Sequence, residues 1–184
     1  MISRYLSNLA RLGFFRYAEP IDFTTREGEL RMQGWGVILD DWGRKFYADA
    51  EDLAEGGIAQ FLRSIEPFLK RQGVDGLEIE EQLSETGYTV IIGSTPYPIY
   101  TQEEMETEDG WWLATVRTFE LVNELLVLAG SEERFYAVGG GNDMFGLFLT
   151  PALHEVICNH KDASPRECPY VPLIDPPWYG QKNK

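Results

Sequence analysis

The stretch LEIEEQLSETGYTVIIGSTPYPIYT, residues 77–101, carries the clearest structural signal in the chain. Leu77 and Ile79 alternate with Glu78 and Glu80, the run YTVII follows the turn residues SETG, and YPIYT follows GSTP. Period-two alternation, β-branched and aromatic enrichment and turn residues at both junctions predict a β-meander. If Leu77 and Ile79 face a core, Glu78 and Glu80 share the solvent face.

On either side of this meander the periodicity changes. Upstream, Ile58, Phe61, Leu62, Ile65, Phe68 and Leu69 fall on one helical face, ending at Gly73. Pro67 lacks the amide and clashes with the preceding turn, so a kink or restart is expected there. Downstream, 109–129 fits one long helix with Trp112, Val116, Phe119, Val122 or Asn123, and Leu126 on its buried stripe and Gly130 as its stop. Before the first of these helices, ELRMQGWGVILDDWGRKFYADA reads as two strands around a turn at Asp40-Asp41-Trp42-Gly43, with Val37 and Leu39 in period against Phe46 and Ala48.

The two ends complete the outline. Ile2, Tyr5, Leu6, Leu9 and Leu12 recur at helical spacing before Gly13, which explains the arginine-bearing N-terminus as a first helix and not as a transit peptide. In the segment from Glu133 to His160, a strand, a glycine turn at 139–143, a second strand and a short helix opened by Thr150 and Pro151 are expected. Short hairpins with too few helices for βαβ alternation give an α+β class: a single domain with a mainly antiparallel sheet packed against three to four helices. The domain is expected over 1–160, and 161–184 as a Pro-rich irregular segment packed on the surface by Tyr170, Trp178 or Tyr179.

Charge is distributed unevenly. The chain of 184 residues has a net charge of -14, and ten acids with no base lie between Arg71 and Arg117. Five of them, Glu103, Glu104, Glu106, Glu108 and Asp109, immediately precede Trp111 and Trp112. Glu106, Glu108 and Asp109 suit a helix N-terminus, where the macrodipole favours anions by about 0.3–1 kcal/mol each. The remainder, with Glu78 and Glu80, read equally as a solvated face that keeps the protein in solution or as a one-sign surface that meets a basic protein. If Trp112 faces the core, Trp111 is left beside the acids as an aromatic anchor for Arg or Lys. The candidate partner-binding residues are therefore Glu78, Glu80, Glu103, Glu104, Glu106, Glu108, Asp109 and Trp111. Nucleic acid is not expected as a partner, because phosphates would be repelled. A membrane is not expected either: Asn123 and Glu124 interrupt even the most apolar run.

Chemistry-bearing motifs are sparse. In HEVICNH, residues 154–160, His154 and Cys158 are four apart on an expected helix, but the spacing is neither H-E-x-x-H nor C-x-x-C. A helix with one buried cysteine is expected, with no metal and no cofactor. Two cysteines are too few for a disulfide framework, which suggests a reducing cytoplasm. GGGND, residues 139–143, lacks the P-loop and dinucleotide spacings, and Asp143 would repel phosphate, so a hairpin turn is the better account. Acids are abundant, but they read as exposed, and a general acid needs burial. With two histidines and no G-x-S-x-G elbow, a serine triad has no support and no enzyme is expected.

In overall style, the acidic middle and the stretch RFYAVGGGNDMFGLFLTP, residues 134–151, the chain resembles the immunity proteins of bacterial polymorphic toxin systems. The resemblance implies a stoichiometric inhibitor that covers a basic toxin domain, often a nuclease, and it transfers no family residue. A small-molecule or peptide-binding module with a pocket between sheet and helices is the alternative.

Overall fold

A computed structural model describes residues 4–19, 28–30, 33–106, 110–165 and 167–174. Its strands are β1 (Lys45–Tyr47), β2 (Ile79–Ser84), β3 (Gly87–Ile92), β4 (Thr95–Thr101), β5 (Arg134–Val138) and β6 (Phe145–Leu149). The helices that bear on the argument are α1 (Arg4–Arg11), α2 (Ala50–Ala54), α3 (Ile58–Arg71), α4 (Gln102–Glu106), α5 (Gly110–Leu128) and α6 (Pro151–Cys158). Strands pair antiparallel in two three-stranded sheets, in the orders β1-β6-β5 and β2-β3-β4. The α+β class and the meander over 77–101 stand as expected; the strands divide between two sheets.

Sheet β1-β6-β5 separates two hydrophobic clusters. Along β5, Phe135 and Ala137 face one cluster, while Tyr136 and Val138 face the other; Phe148 and Leu147 divide the same way along β6. Alternation that places apolar residues on both faces is the mark of a strand buried between two layers. On the first face a row of rings crosses the sheet: Phe68 stacks on Phe148 at 4.0 Å, Phe148 lies 4.5 Å from Phe135, and Phe135 stacks on Phe119 at 4.5 Å. Gly146 makes the row possible, because a Cβ there would fall inside the Phe135 ring.

Helix α5 lies between the two sheets, touching β4 on one side and β5 on the other. It buries Leu113, Ala114, Val116, Phe119, Leu121, Val122, Leu125 and Leu126, which is wider than the single stripe expected. Asn123, placed on the stripe as an alternative to Val122, has a different task. Its Nδ2 donates to the Phe135 carbonyl at 3.0 Å and its Oδ1 accepts from the Phe135 amide at 2.8 Å. Two residues along, Ala137 exchanges both backbone hydrogen bonds with Tyr170. The outer edge of β5 is thus occupied and cannot template another strand.

Two local expectations change. Gly34–Leu39 is a 3-10 helix and not a strand, so no hairpin forms around residues 40–43. Trp35, Val37 and Ile38 are all buried, and the Trp42 indole donates to the Val37 carbonyl while Trp35 donates to Ile157. Burial of consecutive residues 37 and 38 is incompatible with a half-buried strand. In α3, Pro67 neither ends nor restarts the helix. It sits on the exposed side, where water can satisfy the Arg63 carbonyl that loses its donor. The first helix stands, closed by Gly13 at φ +81° and a Phe14 amide to Leu9 carbonyl bond of 2.9 Å, a Schellman arrangement. In the C-terminal stretch, Tyr170 is buried and pinned as expected; Trp178 and Tyr179 lie outside the described residues.

Candidate functional site

The expected site centres on the junction of β4, α4 and α5. Thr101 is the N-cap of α4: its hydroxyl accepts from the Glu104 amide at 3.3 Å, and Glu104 Oε2 accepts from the Thr101 amide at 2.8 Å. This reciprocal pair is a capping box, spelled T-x-x-E in the sequence. Glu104 also receives two hydrogen bonds from the Arg117 guanidinium, at 3.1 and 2.8 Å, while Arg117 Nη1 donates to the Ile99 carbonyl at 2.7 Å. Arg117, and then the Thr101 amide, pull the Glu104 carboxyl down to about 2. Glu104 is therefore a fastener between β4, α4 and α5, and its charge is already matched.

The remaining candidates scatter. Glu103 and Glu106 are exposed on α4, and Glu106 accepts a 3.1 Å hydrogen bond from Gln102. Glu106 is the last residue of α4, four positions before Gly110 opens α5. Glu108 and Asp109 lie outside the described residues. Gly110 is buried against Met105, which folds α5 back on α4 and leaves Trp111 half-exposed, at 52%, on the first turn. Trp112 is half-buried, and its indole donates to the Leu173 carbonyl at 2.7 Å. The two tryptophans face differently, as expected.

Glu78 and Glu80 do not join this group. The register pairs Glu80 with Ile91 and Ile91 with Pro96, near the 93–95 turn, whereas Thr101 pairs with Gly87 at the opposite end of the meander. At about 3.3 Å per strand residue, the two acidic groups stand some 15–20 Å apart along the strands. Both acids are exposed at the edge strand β2, where charge discourages further pairing. Glu85, in the 84–87 turn, is the acid that lies on the α4 side, since the Gln102 amide bonds the neighbouring Thr86 carbonyl.

Sequence reading misses two features and sets a third aside on its spacing. The first is a buried ion pair: Arg44 and Glu133, with side chains 1% and 3% exposed, bond through Nη1 at 3.0 and 2.9 Å. Arg44 also donates to the carbonyls of Phe14, Phe148 and Gly13 and lies 4.5 Å over the Tyr17 ring. Burial lowers its affinity for its proton, and Glu133 opposes that. Both side chains are almost fully buried and hydrogen-bonded, which suits a structural role. The second is an open groove of about 780 Å³ between β1, α2 and α3, lined by Asp41, Asp49, Asp52, Glu55 and the exposed Tyr47. Its acids come from a stretch whose total charge is near balance, which hid them. The third is a cluster of His154, Cys158 and Cys168, whose ligand atoms lie within 4.8 Å of one another. Cys158 and Cys168 are in disulfide contact, with Cα atoms 5.4 Å apart. The buried member is Cys168, not the helical Cys158, contrary to the expectation of an unbonded buried cysteine on the helix.

Comparison with known proteins adds no relative. No family model, curated protein or solved structure matches the chain. Among the described residues, no helix is long and apolar enough to cross a membrane.

Proposed function

We propose that this is a non-catalytic acidic binding protein that neutralises a basic protein partner, such as a toxin or nuclease domain, in the manner of an immunity protein. The observation that carries this reading is Trp111, half out of water on the first turn of α5, next to α4 with the exposed Glu103 and Glu106. An aromatic flanked by unmatched carboxylates suits an Arg or Lys side chain, whose stem packs on the ring while its head meets the acids. Surface acids speed encounter, and the ring supplies contact that persists in salt. The test is salt-stepped capture from the native host's lysate by the wild type and by a Glu103→Lys/Glu106→Lys/Trp111→Ala variant. A basic protein retained stoichiometrically by the first and lost by the second supports the reading. Equal retention removes this surface from it.

A second reading, a peptide-binding module, is favoured by the groove beside β1. Four carboxylates and Tyr47 in a concave surface suit a basic extended segment. Asp52→Lys/Glu55→Lys abolishes capture under this reading and spares it under the first.

The proposed setting is a cytoplasm, where the Cys158–Cys168 pair would be held as thiols; a persistent disulfide belongs to oxidising compartments. Thiol titration of freshly isolated, denatured protein decides the matter: two free thiols support the cytoplasm and none overturns it.

A further inference from the structure

Helix α6 and the segment after it bring three metal-binding side chains together. His154 and Cys158, one turn apart, point from α6 toward Cys168, which lies ten positions beyond Cys158. His154 and Cys158 are half-buried and Cys168 is buried. The His154 ring is held flat against Tyr136, with centroids 4.3 Å apart and planes 15° from parallel, so its direction is fixed by packing. His154 Nε2 lies 3.5 Å from Cys158 Sγ. In a tetrahedral zinc site, with Zn–S near 2.3 Å and Zn–N near 2.0 Å, adjacent sulfur and nitrogen ligands are separated by about 3.6 Å. One edge of that tetrahedron is therefore already built.

We propose that, after reduction of the Cys158–Cys168 disulfide, His154, Cys158 and Cys168 bind one borderline-soft divalent cation, zinc above all, and that hydrogen peroxide, which takes two electrons from the thiolates and two protons from water to become two water molecules, re-forms the S–S bond and expels it. Two thiolates and an imidazole select zinc over magnesium or calcium, which require oxygen ligands. A phosphine reductant forms its oxide with oxygen from water, delivers two electrons to the disulfide, and leaves water's two protons on the sulfurs. Cation binding then displaces both thiol protons. The sulfurs must part to about 3.8 Å, the sulfur–sulfur edge of the same tetrahedron. The Cα separation of 5.4 Å is compatible with the disulfide, and the exposed residues 161 and 162 of the intervening loop leave it room to adjust. His154 Nε2 also exchanges its 2.8 Å hydrogen bond with the Pro169 carbonyl for the metal, which moves the ring proton to Nδ1. Three protein ligands leave a fourth position for water. Either cross-link, covalent or metallic, anchors the segment that carries Tyr170 onto the edge of β5.

The test uses the full chain, reduced with the phosphine under argon and titrated with Co²⁺, whose thiolate complexes absorb in the near ultraviolet. One equivalent is expected to saturate a sulfur-to-cobalt band that Zn²⁺ then abolishes, and the oxidised protein shows none. Cys168→Ser removes the band. His154→Gln weakens Co²⁺ binding by more than the roughly 10–100-fold that loss of an outer partner costs. His160→Gln, whose ring packs on Tyr5 outside the cluster, leaves it unchanged. A reduced wild type that gives no band, or that unfolds by circular dichroism without metal and is not restored by Zn²⁺, overturns the proposal. So does a His154→Gln variant with undiminished affinity.

Discussion

The sheets β1-β6-β5 and β2-β3-β4 have equal strand numbers and opposite relations to water. In the first, β5 and β6 are covered on both faces, the β5 edge is filled by Asn123 and Tyr170, and the Arg44–Glu133 pair beside it is buried, while at β1 the exposed Tyr47 lines the open groove. The second buries Tyr88, Val90 and Ile99 on one face and leaves Glu78 and Glu80 exposed, with prolines at 96 and 98 in β4. Charge buried behind β5 and β6 is a structural commitment, because an unpaired ion there has no water to turn to, whereas the carboxylates of the groove beside β1 face solvent. Near the second it is free to vary, and so available for a partner. Glu104 marks the boundary, an acid of the meander side spent on fastening.

The largest effect should come from breaking the sealed pair. Arg44→Met is expected to destabilise by about 3–5 kcal/mol in urea, since Glu133 stays buried without its counter-charge, keeping only the 3.3 Å hydrogen bond from Tyr17 among those described. Adding Glu133→Leu should recover much of that loss, and a double variant as unstable as the single one would show that the three carbonyl contacts of Arg44 matter more than the ion pair. Next, Gly146→Ala drives a methyl into the Phe135 ring and should cost about 1–3 kcal/mol. Differential scanning calorimetry would reveal it as a lower Tm, and an unchanged Tm would mean that the ring row can shift.

Smaller effects test the boundary. The folded Glu104 carboxyl, at about 2, lies below its ordinary 4.5, so its charge stabilises the fold above that ordinary value and the contribution fades as pH falls toward 2. Glu104→Gln should therefore lower stability at pH 7 by less than about 1 kcal/mol, and the gap to wild type should close near pH 2. Parallel urea curves at the two pH values would measure this, and a constant gap would assign the loss to geometry and not to charge. Smallest of all, Glu78→Lys with Glu80→Lys should move stability by no more than about 0.5 kcal/mol. A larger shift in the same curves would mean that the meander is not the permissive side.

The same contrast explains what was legible in the sequence. The meander could be read because its pattern is local: alternation at 77–80, turns at 84–87 and 93–96, and β-branched residues between them. The extent of α5 was equally clear, but not that it lies between two sheets, since a helix apolar nearly all round has no single face to read. At 35–39, Gly36 between apolar residues imitates a strand's period, and only packing of the two indoles shows a 3-10 turn. Among the site residues, Trp111 could be inferred from its neighbour. Glu104's engagement was written in T-x-x-E and was passed over in favour of its charge. The Arg44–Glu133 pair joins distant parts of the chain, and nothing in its local sequence announces it; the His154, Cys158 and Cys168 set is visible in the sequence, but its spacing matches no metal motif, and only the return of the chain after α6 brings Cys168 to the other two.

The buried ion pair also bears on how the molecule comes together. Arg44 meets partners 30, 89 and 104 residues away, so its guanidinium cannot be satisfied by any short segment. A chain made from its N-terminus carries this cation without its carboxylate until Glu133 has been synthesised, and without its last carbonyl until Phe148 has. Contacts of such separation place the loss of chain entropy before the gain, which slows the ordering step. The meander needs only 23 residues between Ile79 and Thr101 and can form at once. The molecule thus has a fast acidic half and a slow closing half, and Arg44 is the residue that waits.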